Sequence, residues 1–162
     1  MEEAGLSEAE IKACQRELTQ LMQELPSIEG AVISSEDGLL VACENKTGEL
    51  EGDMIAAMSA SMISLADTLA GQAGRPKVEN IISESESSTL VILHAGTLVL
   101  TVVGKPDASI GLVLVAAKKA AKGIGKDTKE FSEGTKGMDI LKDPEALLER
   151  VKKEMEMMKK EK

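Results

Sequence analysis

The chain has 162 residues, a formal net charge of −9, a single Phe and neither Tyr nor Trp. This length allows one domain with a core of its own, and aliphatic residues and methionine must fill that core. An acidic chain whose one aromatic residue is a Phe lacks the cationic clusters and stacking surfaces that bind nucleic acid, and its charge also disfavours anionic membranes.

The first segment predicts an amphipathic helix. Ser7 and Glu10 form a capping box, and Pro26 ends the helical pattern. Apolar residues recur between them at helical spacing: Ile11, Cys14, Leu18, Leu21, Met22 and Leu25. Two short β-rich runs follow at 30–34 and 39–43, and the Asp37-Gly38 turn between them favours a hairpin.

A second helix is predicted over 53–71, and it is unusual because it carries almost no charge between its ends. One side presents Met54, Met58, Ser61, Leu65 and Leu69, and the opposite side presents Asp53, Ala56, Ala60, Ser64, Asp67 and Gly71. A sheet can cover only one of these sides, so we expect the smooth, small-residue side to receive a second helix. The alternative is a core helix whose small residues simply allow close packing on the sheet.

The second half predicts three strands at 78–83, 89–94 and 97–103, followed by a third helix from Ile110 to Lys122 that Asp107 or Ser109 could cap. Tight turns between consecutive strands favour an antiparallel α+β fold of five strands, in the order αββαβββα. The fourth and fifth strands are apolar on both faces, so both faces of the sheet should be covered.

The amino-acid composition changes after residue 122. Residues 123–143 are rich in glycine and charge, which indicates a linker after a domain at 1–122. A C-terminal amphipathic helix then begins at Asp143-Pro144 and extends over 144–162. Its predicted apolar stripe consists of Leu147, Leu148, Val151, Met155 and Met158.

The residues give no convincing catalytic or metal site. Cys14 and Cys43 have no CxxC spacing, and the single histidine, His94, stands at a strand end without a partner base. We therefore predict no enzyme activity, no cofactor, no metal and two reduced cysteines that pack in the fold. The segment 123–127 only partly matches a phosphate-binding loop, and the acids from Glu44 to Asp53 are expected to be solvated.

The N-terminal residues are acidic and lack the apolar run of a signal peptide, and the longest apolar run that we identify, 110–117, is too short to span a membrane. We therefore expect a cytoplasmic protein with no membrane insertion.

Three stretches in this order resemble the Roadblock (dynein light chain) family: IEGAVISSEDGLLVA, DMIAAMSASMISLADTLAG and HAGTLVLTVVGKPDASIGLVL. The resemblance extends from about Leu18 to Lys122. It implies that the second helix covers one face of the sheet and that the first and third helices cover the other. It also implies a homodimer in which the third strands pair and the second helices pack together. Family members act as adaptors and regulators of Ras-like small GTPases, with the paired second helices as a platform.

We therefore predict a non-catalytic homodimeric adaptor or regulator of a Ras-like small GTPase. The predicted partner platform comprises Asp53, Ala56, Ala60, Ser64 and Asp67. The predicted dimer interface comprises Met58, Ser61, Met62, Leu65, Val78, Asn80 and Ile82. Arg75 is the single arginine in an obvious loop, and we do not expect it to act as a catalytic finger. The alternatives are a small-molecule sensor of similar layout and a light-chain adaptor in a larger complex.

Overall fold

The computed structural model describes residues 5–134 and 144–160. Four helices and five strands follow one another along these residues in the predicted order. They are α1 (Glu8–Glu24), β1 (Ile28–Ser35), β2 (Leu40–Asn45), α2 (Gly52–Gln72), β3 (Asn80–Glu84), β4 (Thr89–Ala95), β5 (Leu98–Gly104), α3 (Ile110–Gly134) and α4 (Pro144–Lys160). The chain is therefore an α+β protein, as predicted.

The capping box at the start of α1 is present. The Ser7 side chain accepts a hydrogen bond from the Glu10 backbone N–H, and the Glu10 carboxylate accepts one from the Ser7 N–H at 2.7 Å. These bonds satisfy amide groups that a helix start otherwise leaves without partners. The helix ends at Glu24, two residues before Pro26, and its inner face carries the buried Cys14.

The five strands form one antiparallel sheet in the order β2-β1-β5-β4-β3. Every residue of the central strand β5 is buried, which confirms that the sheet is covered on both faces. The larger core lies on the face of α1 and α3, where Leu18, Leu100 and Val113 are almost fully buried. A smaller core of Ile63, Ile92 and Val99 lies under α2 on the other face.

Strand β3 begins at Asn80, two residues later than predicted. The N–H of Val78 donates a hydrogen bond to the Asp67 carboxylate of α2 at 2.9 Å instead of entering the sheet. A strand lengthens only where its backbone groups pair with a neighbour, so Val78 lies outside β3. Sequence periodicity does not reveal such a contact.

The predicted linker is wrong over residues 123–134, because α3 continues to Gly134. Ile124 is fully buried in the larger core, and Thr128 is also buried. The glycines that suggested a linker are positions of close contact. A Cβ atom on Gly123 would lie 2.6 Å from a Glu17 carboxylate oxygen, and one on Gly125 would lie 3.1 Å from the Gly96 nitrogen. Residues 135–143 lie outside the described residues.

The chain divides into two compact units, Met1–Thr128 and Lys129–Lys162. The second unit contains the predicted C-terminal helix, which begins at Pro144. Met155 and Met158 of its predicted stripe are exposed. The capping residue Asp143 and the side chains of Leu147, Leu148 and Val151 lie outside the described residues.

Helix α2 is the one helix in the described part of the chain that is long and apolar enough to cross a membrane by length and composition. The sequence-based expectation that no segment reaches this length is therefore wrong. In the fold, α2 packs on the sheet through four buried residues, Ala56, Ser59, Ala60 and Ile63. Core helices of globular proteins share these properties, so its composition does not by itself indicate a membrane span.

The contact between Gly96 and Gly125 can be tested by substitution. Both Gly96 and Gly74 have positive φ, but a Cβ on Gly96 would lie 2.9 Å from the Gly125 Cα, whereas one on Gly74 would meet no atom within 4 Å. Gly74→Ala should therefore cost only the backbone strain, about 1 kcal/mol of unfolding free energy. Gly96→Ala should cost about 1–3 kcal/mol more through the clash. Urea unfolding of the two variants measures the difference, and equal losses would contradict the packing of α3 beyond Lys122.

Candidate interaction surface

Helix α2 has three faces rather than two. Its sheet-facing residues are buried, and its remaining surface divides into two exposed stripes that follow the 3.6-residue helical period. We name these the apolar stripe and the small polar stripe. The apolar stripe consists of Met54, Met58, Met62, Leu65 and Leu69. The small polar stripe consists of Ala57, Ser61, Ser64, Thr68 and Gly71.

The predicted partner platform is wrong at Ala56 and Ala60. Both are almost completely buried against the sheet, with 0% and 3% exposure, so a partner cannot reach them in this fold. Small side chains at these positions let the helix approach the strands closely, which is the alternative that the sequence left open. Asp53 and Ser64 are exposed as the prediction requires, and Asp67 is partly exposed.

Close approach also occurs at Ala57 and at the first residue of the helix, Gly52. A Cβ atom on Gly38, in the β1–β2 turn, would lie 3.1 Å from the Ala57 Cα. A Cβ atom on Gly52 would lie 3.1 Å from the Cys43 sulfur. Larger residues at these positions would push α2 away from the sheet, so the turn glycine and the small helical residues act together.

The apolar stripe has no cover within the described residues. Leu65 and Leu69 are each 71% exposed, and Met58 is 58% exposed. Five large apolar side chains on one helix form a contiguous patch of a kind that usually marks an interaction site in a soluble protein. Met58, Met62 and Leu65 belong to the predicted dimer interface, and the structure places all three on this patch.

The small polar stripe offers a smooth surface instead. The Ser61 hydroxyl donates to the Ala57 carbonyl at 2.9 Å, and the Thr68 hydroxyl donates to the Ser64 carbonyl at 3.0 Å. Because these two hydroxyls already have acceptors within the helix, another backbone can approach them without leaving a donor unpaired. The predicted dimer residue Ser61 lies on this stripe, next to the apolar one.

Strand β3 forms one edge of the sheet, because β4 is its only neighbour there. The predicted dimer residues Val78 and Asn80 are half-buried, and Ile82 is 39% exposed. An edge strand presents unpaired backbone groups that another strand can pair with. The structure thus places the predicted dimer residues on two neighbouring elements, α2 and the region of β3.

Asp67 joins these two elements. One carboxylate oxygen accepts the Val78 N–H, and the other lies 2.8 Å from His94 Nε2 on β4. The side chains of Asp67 and His94 are 19% and 20% exposed. Burial by itself raises the pKa of Asp67, but the hydrogen bonds from Val78 and His94 and the nearby charge of Lys77 outweigh it and lower that pKa overall. Asp67 is thus committed to intramolecular contacts, which weakens its predicted role in the partner platform.

A cleft of about 250 Å³ opens beside this contact. Its polar lining comes from Glu36, Ser64, Asp67, Thr68, Lys77 and His94, with Ala60 and Ile63 as the apolar part. Ligand pockets usually enclose roughly 300–1,000 Å³ and are mainly apolar. The cleft is small and carries charges of both signs, which makes the small-molecule sensor the weaker alternative.

The other polar residues considered in the sequence have structural roles. Glu44, of the acidic cluster, accepts hydrogen bonds from Gln15 and Thr19 of α1. Cys14 is buried, and burial, together with nearby carboxylates, raises the pKa of its thiol to about 11, so it is not a reactive thiolate. Burial also raises the pKa of Cys43. Across residues 5–134 and 144–160, no three metal-binding side chains come together.

The family model for the Roadblock/LC7 domain matches residues 15–104 of the chain. This match covers more than half of the sequence and includes all five strands and α2. The protein therefore belongs to the Roadblock/LC7 family. No curated protein matches the sequence closely enough to add to this assignment.

Solved structures of similar fold include MglB of Myxococcus xanthus, with 20% identity, a TM-score of 0.70, and coverage of 77% of this chain and 94% of that chain. An MglB with a tetrameric arrangement gives 21% identity with the same coverage and TM-score. A Roadblock/LC7 domain from Streptomyces avermitilis gives 22% identity, a TM-score of 0.61, and coverage of 68% and 92%. At these identities the likeness establishes the fold.

The lowered pKa of Asp67 predicts a specific pH dependence. Its interactions contribute stability above the pKa of an unfolded aspartate, about 3.9, and lose that contribution as the pH falls through the lower folded-state value. Asp67→Asn removes this titration. The urea midpoints of the wild type and the variant should therefore differ near neutral pH and converge as the pH falls below about 4. A difference that stays constant over this range would show that Asp67 is not stabilised as a carboxylate.

Proposed function

We propose that this protein is a homodimeric adaptor or regulator that binds a Ras-like small GTPase in the cytoplasm. The observation that carries the proposal is the apolar stripe of α2, which is exposed over five residues in a chain that belongs to the Roadblock/LC7 family. Members of that family are adaptors and regulators of small GTPases without catalytic residues of their own. The proposal assigns no reaction to the chain.

Dimerisation would cover the apolar stripe of α2 and the unpaired edge of β3 together. The apolar stripes of two copies would pack together near a two-fold axis, and the β3 edges would pair across the same axis. A self-complementary patch of this type suits the two-fold symmetry of most homodimers. One of the similar structures, an MglB, has a tetrameric arrangement, so self-association occurs in at least one protein of this fold.

The small polar stripe then remains for the GTPase. In the dimer, two such stripes would lie beside the paired helices and form the platform, with Ser64 at its centre and Asp53 at its N-terminal end. This placement keeps the predicted platform on α2 but moves it away from Ala56 and Ala60, which face the sheet. The acidic chain, with its net charge of −9, would favour a basic surface on the partner.

A charge on the apolar stripe tests the dimer. Leu65→Glu should convert the dimer to a monomer at micromolar concentration, because an unpaired carboxylate would be buried in the interface; we expect at least a hundredfold weaker association, about 2.7 kcal/mol. Val115→Glu on α3 is the matched control, since Val115 is 68% exposed and Leu65 is 71% exposed. Light scattering gives the mass of each variant. A monomeric wild type, or a Leu65→Glu variant that stays dimeric, would refute the proposed interface.

A bulky cation on the small polar stripe tests the platform. Ser64→Arg should leave the mass of the dimer unchanged but abolish capture of purified Ras-like GTPases from the same organism, loaded with GDP or with a GTP analogue. Ser87→Arg, at an exposed serine of the β3–β4 turn, serves as the control. If the wild type captures none of these GTPases in either nucleotide state, the proposed partner is wrong.

If the complex also speeds hydrolysis, Arg75→Ala should leave that rate unchanged. Arg75 follows α2 in an exposed turn, where its backbone N–H donates to the Ala70 carbonyl. The proposal treats its side chain as solvated rather than as an arginine finger. A loss of stimulation of roughly a thousandfold or more would assign it that role instead.

A further inference from the structure

We propose that Asp67 and His94 are positioning residues for dimerisation, which hold the start of β3 against α2 so that the apolar stripe and the β3 edge meet a second copy together. This inference rests on the proposed homodimer. It adds a pair of residues that align the two contact regions of the dimer, the apolar stripe and the β3 edge. Neither residue needs to touch the second copy. Their effect would pass through the placement of β3.

Strand β3 needs such support because few contacts hold it. It is five residues long and lies at the sheet edge, and its last three residues are exposed. The segment that leads to it from α2 is exposed from Ala73 to Lys77. Edge strands and their connections are usually among the first parts of a fold to open locally.

The Asp67 carboxylate of α2 holds this segment in place immediately before β3. Oδ1 accepts the Val78 N–H at 2.9 Å, and Oδ2 lies 2.8 Å from Nε2 of His94. The two bonds connect three elements, since Asp67 belongs to α2, Val78 precedes β3 and His94 lies on β4. With both oxygens engaged, the carboxylate has a fixed orientation and cannot follow Val78 if β3 moves.

Charged side chains of both signs line the cleft beside this contact. Lys77, in the segment before β3, lines the same cleft and attracts the Asp67 charge. Glu36, from the β1–β2 turn, also lines the cleft and is the second carboxylate there. Asp67 has a partner on each oxygen, whereas no hydrogen bond or ion pair is found for the Glu36 side chain among the described residues. The bridging role therefore belongs to Asp67 alone.

Alignment matters because the two contact regions must fit at the same time. Leu65 on α2 and Ile82 on β3 are both exposed, and both belong to the predicted dimer interface. A two-fold axis repeats any displacement of β3 relative to α2 in the second copy. A displaced β3 would therefore disturb two symmetry-related sets of contacts in the same interface.

The experiment compares dimer dissociation constants of the full chain by sedimentation for five proteins: the wild type, Asp67→Ala, Asp67→Asn, His94→Ala and Glu36→Ala. Asp67→Ala removes both bonds and should weaken the dimer about tenfold or more, which is the free energy of one hydrogen bond. Asp67→Asn keeps an acceptor for the Val78 N–H and should restore most of the affinity. Glu36→Ala, which removes the other carboxylate of the cleft, should match the wild type.

Amide hydrogen exchange provides a second readout that a general loss of stability would not reproduce. In Asp67→Ala and His94→Ala, exchange should accelerate in β3 and in the β4 amides that pair with it, while β1 and β5 keep the wild-type rates. If Asp67→Ala is too unstable to study, His94→Ala and Asp67→Asn still test the inference, with His94→Ala the weaker dimer of the two.

The results separate the inference from the proposal on which it rests. A dimeric wild type whose affinity and β3 exchange are unchanged in Asp67→Ala and His94→Ala overturns the positioning role and leaves the dimer standing. Uniformly faster exchange in all strands also overturns it, because it shows a merely structural effect. A monomeric wild type overturns the proposed dimer and the positioning role with it.

Discussion

The close packing of α2 on the sheet is the constraint on which the rest of the structure depends. Ala56 and Ala60 allow the helix to approach the strands, and Gly38 lets the β1–β2 turn come within van der Waals distance of Ala57. This contact fixes the rotation of the helix about its own axis. Once the small residues face inward, the methionines and leucines of the apolar stripe must face outward.

That outward stripe links fold to function. A monomer would leave five large apolar side chains in water, and each exposed side chain that a partner buries contributes roughly 1.5–3 kcal/mol when it is fully covered. The neighbouring β3 edge has unpaired backbone groups as well. A single two-fold partner can satisfy both, and this economy, together with membership of the Roadblock/LC7 family, supports a dimeric adaptor.

The sequence predicted the element order and the antiparallel sheet, because hydrophobic periodicity and turn residues determine them locally. It failed where long-range packing decides. Gly123 and Gly125 are typical of a linker by composition, but they lie in α3 beside the buried Ile124, and Glu17 and Gly96 approach them closely. The rotation of α2 was missed for a related reason: two uncharged faces are equally compatible with a sheet until its shape is known. The contact between Asp67 and His94 joins residues 27 apart in sequence, and no local pattern predicts it.

The distance between the two α2 helices in solution tests whether the helices pair in a dimer. Spin labels on Ser61→Cys, in a background with Cys43→Ser, would report it by pulsed electron paramagnetic resonance, with Val115→Cys as the comparison. Paired α2 helices should give a short distance between the labels at position 61, on the order of 10–25 Å for helices whose axes pack 8–10 Å apart, and a longer distance at position 115. No coupling at position 61, or a shorter distance at position 115, would contradict this pairing.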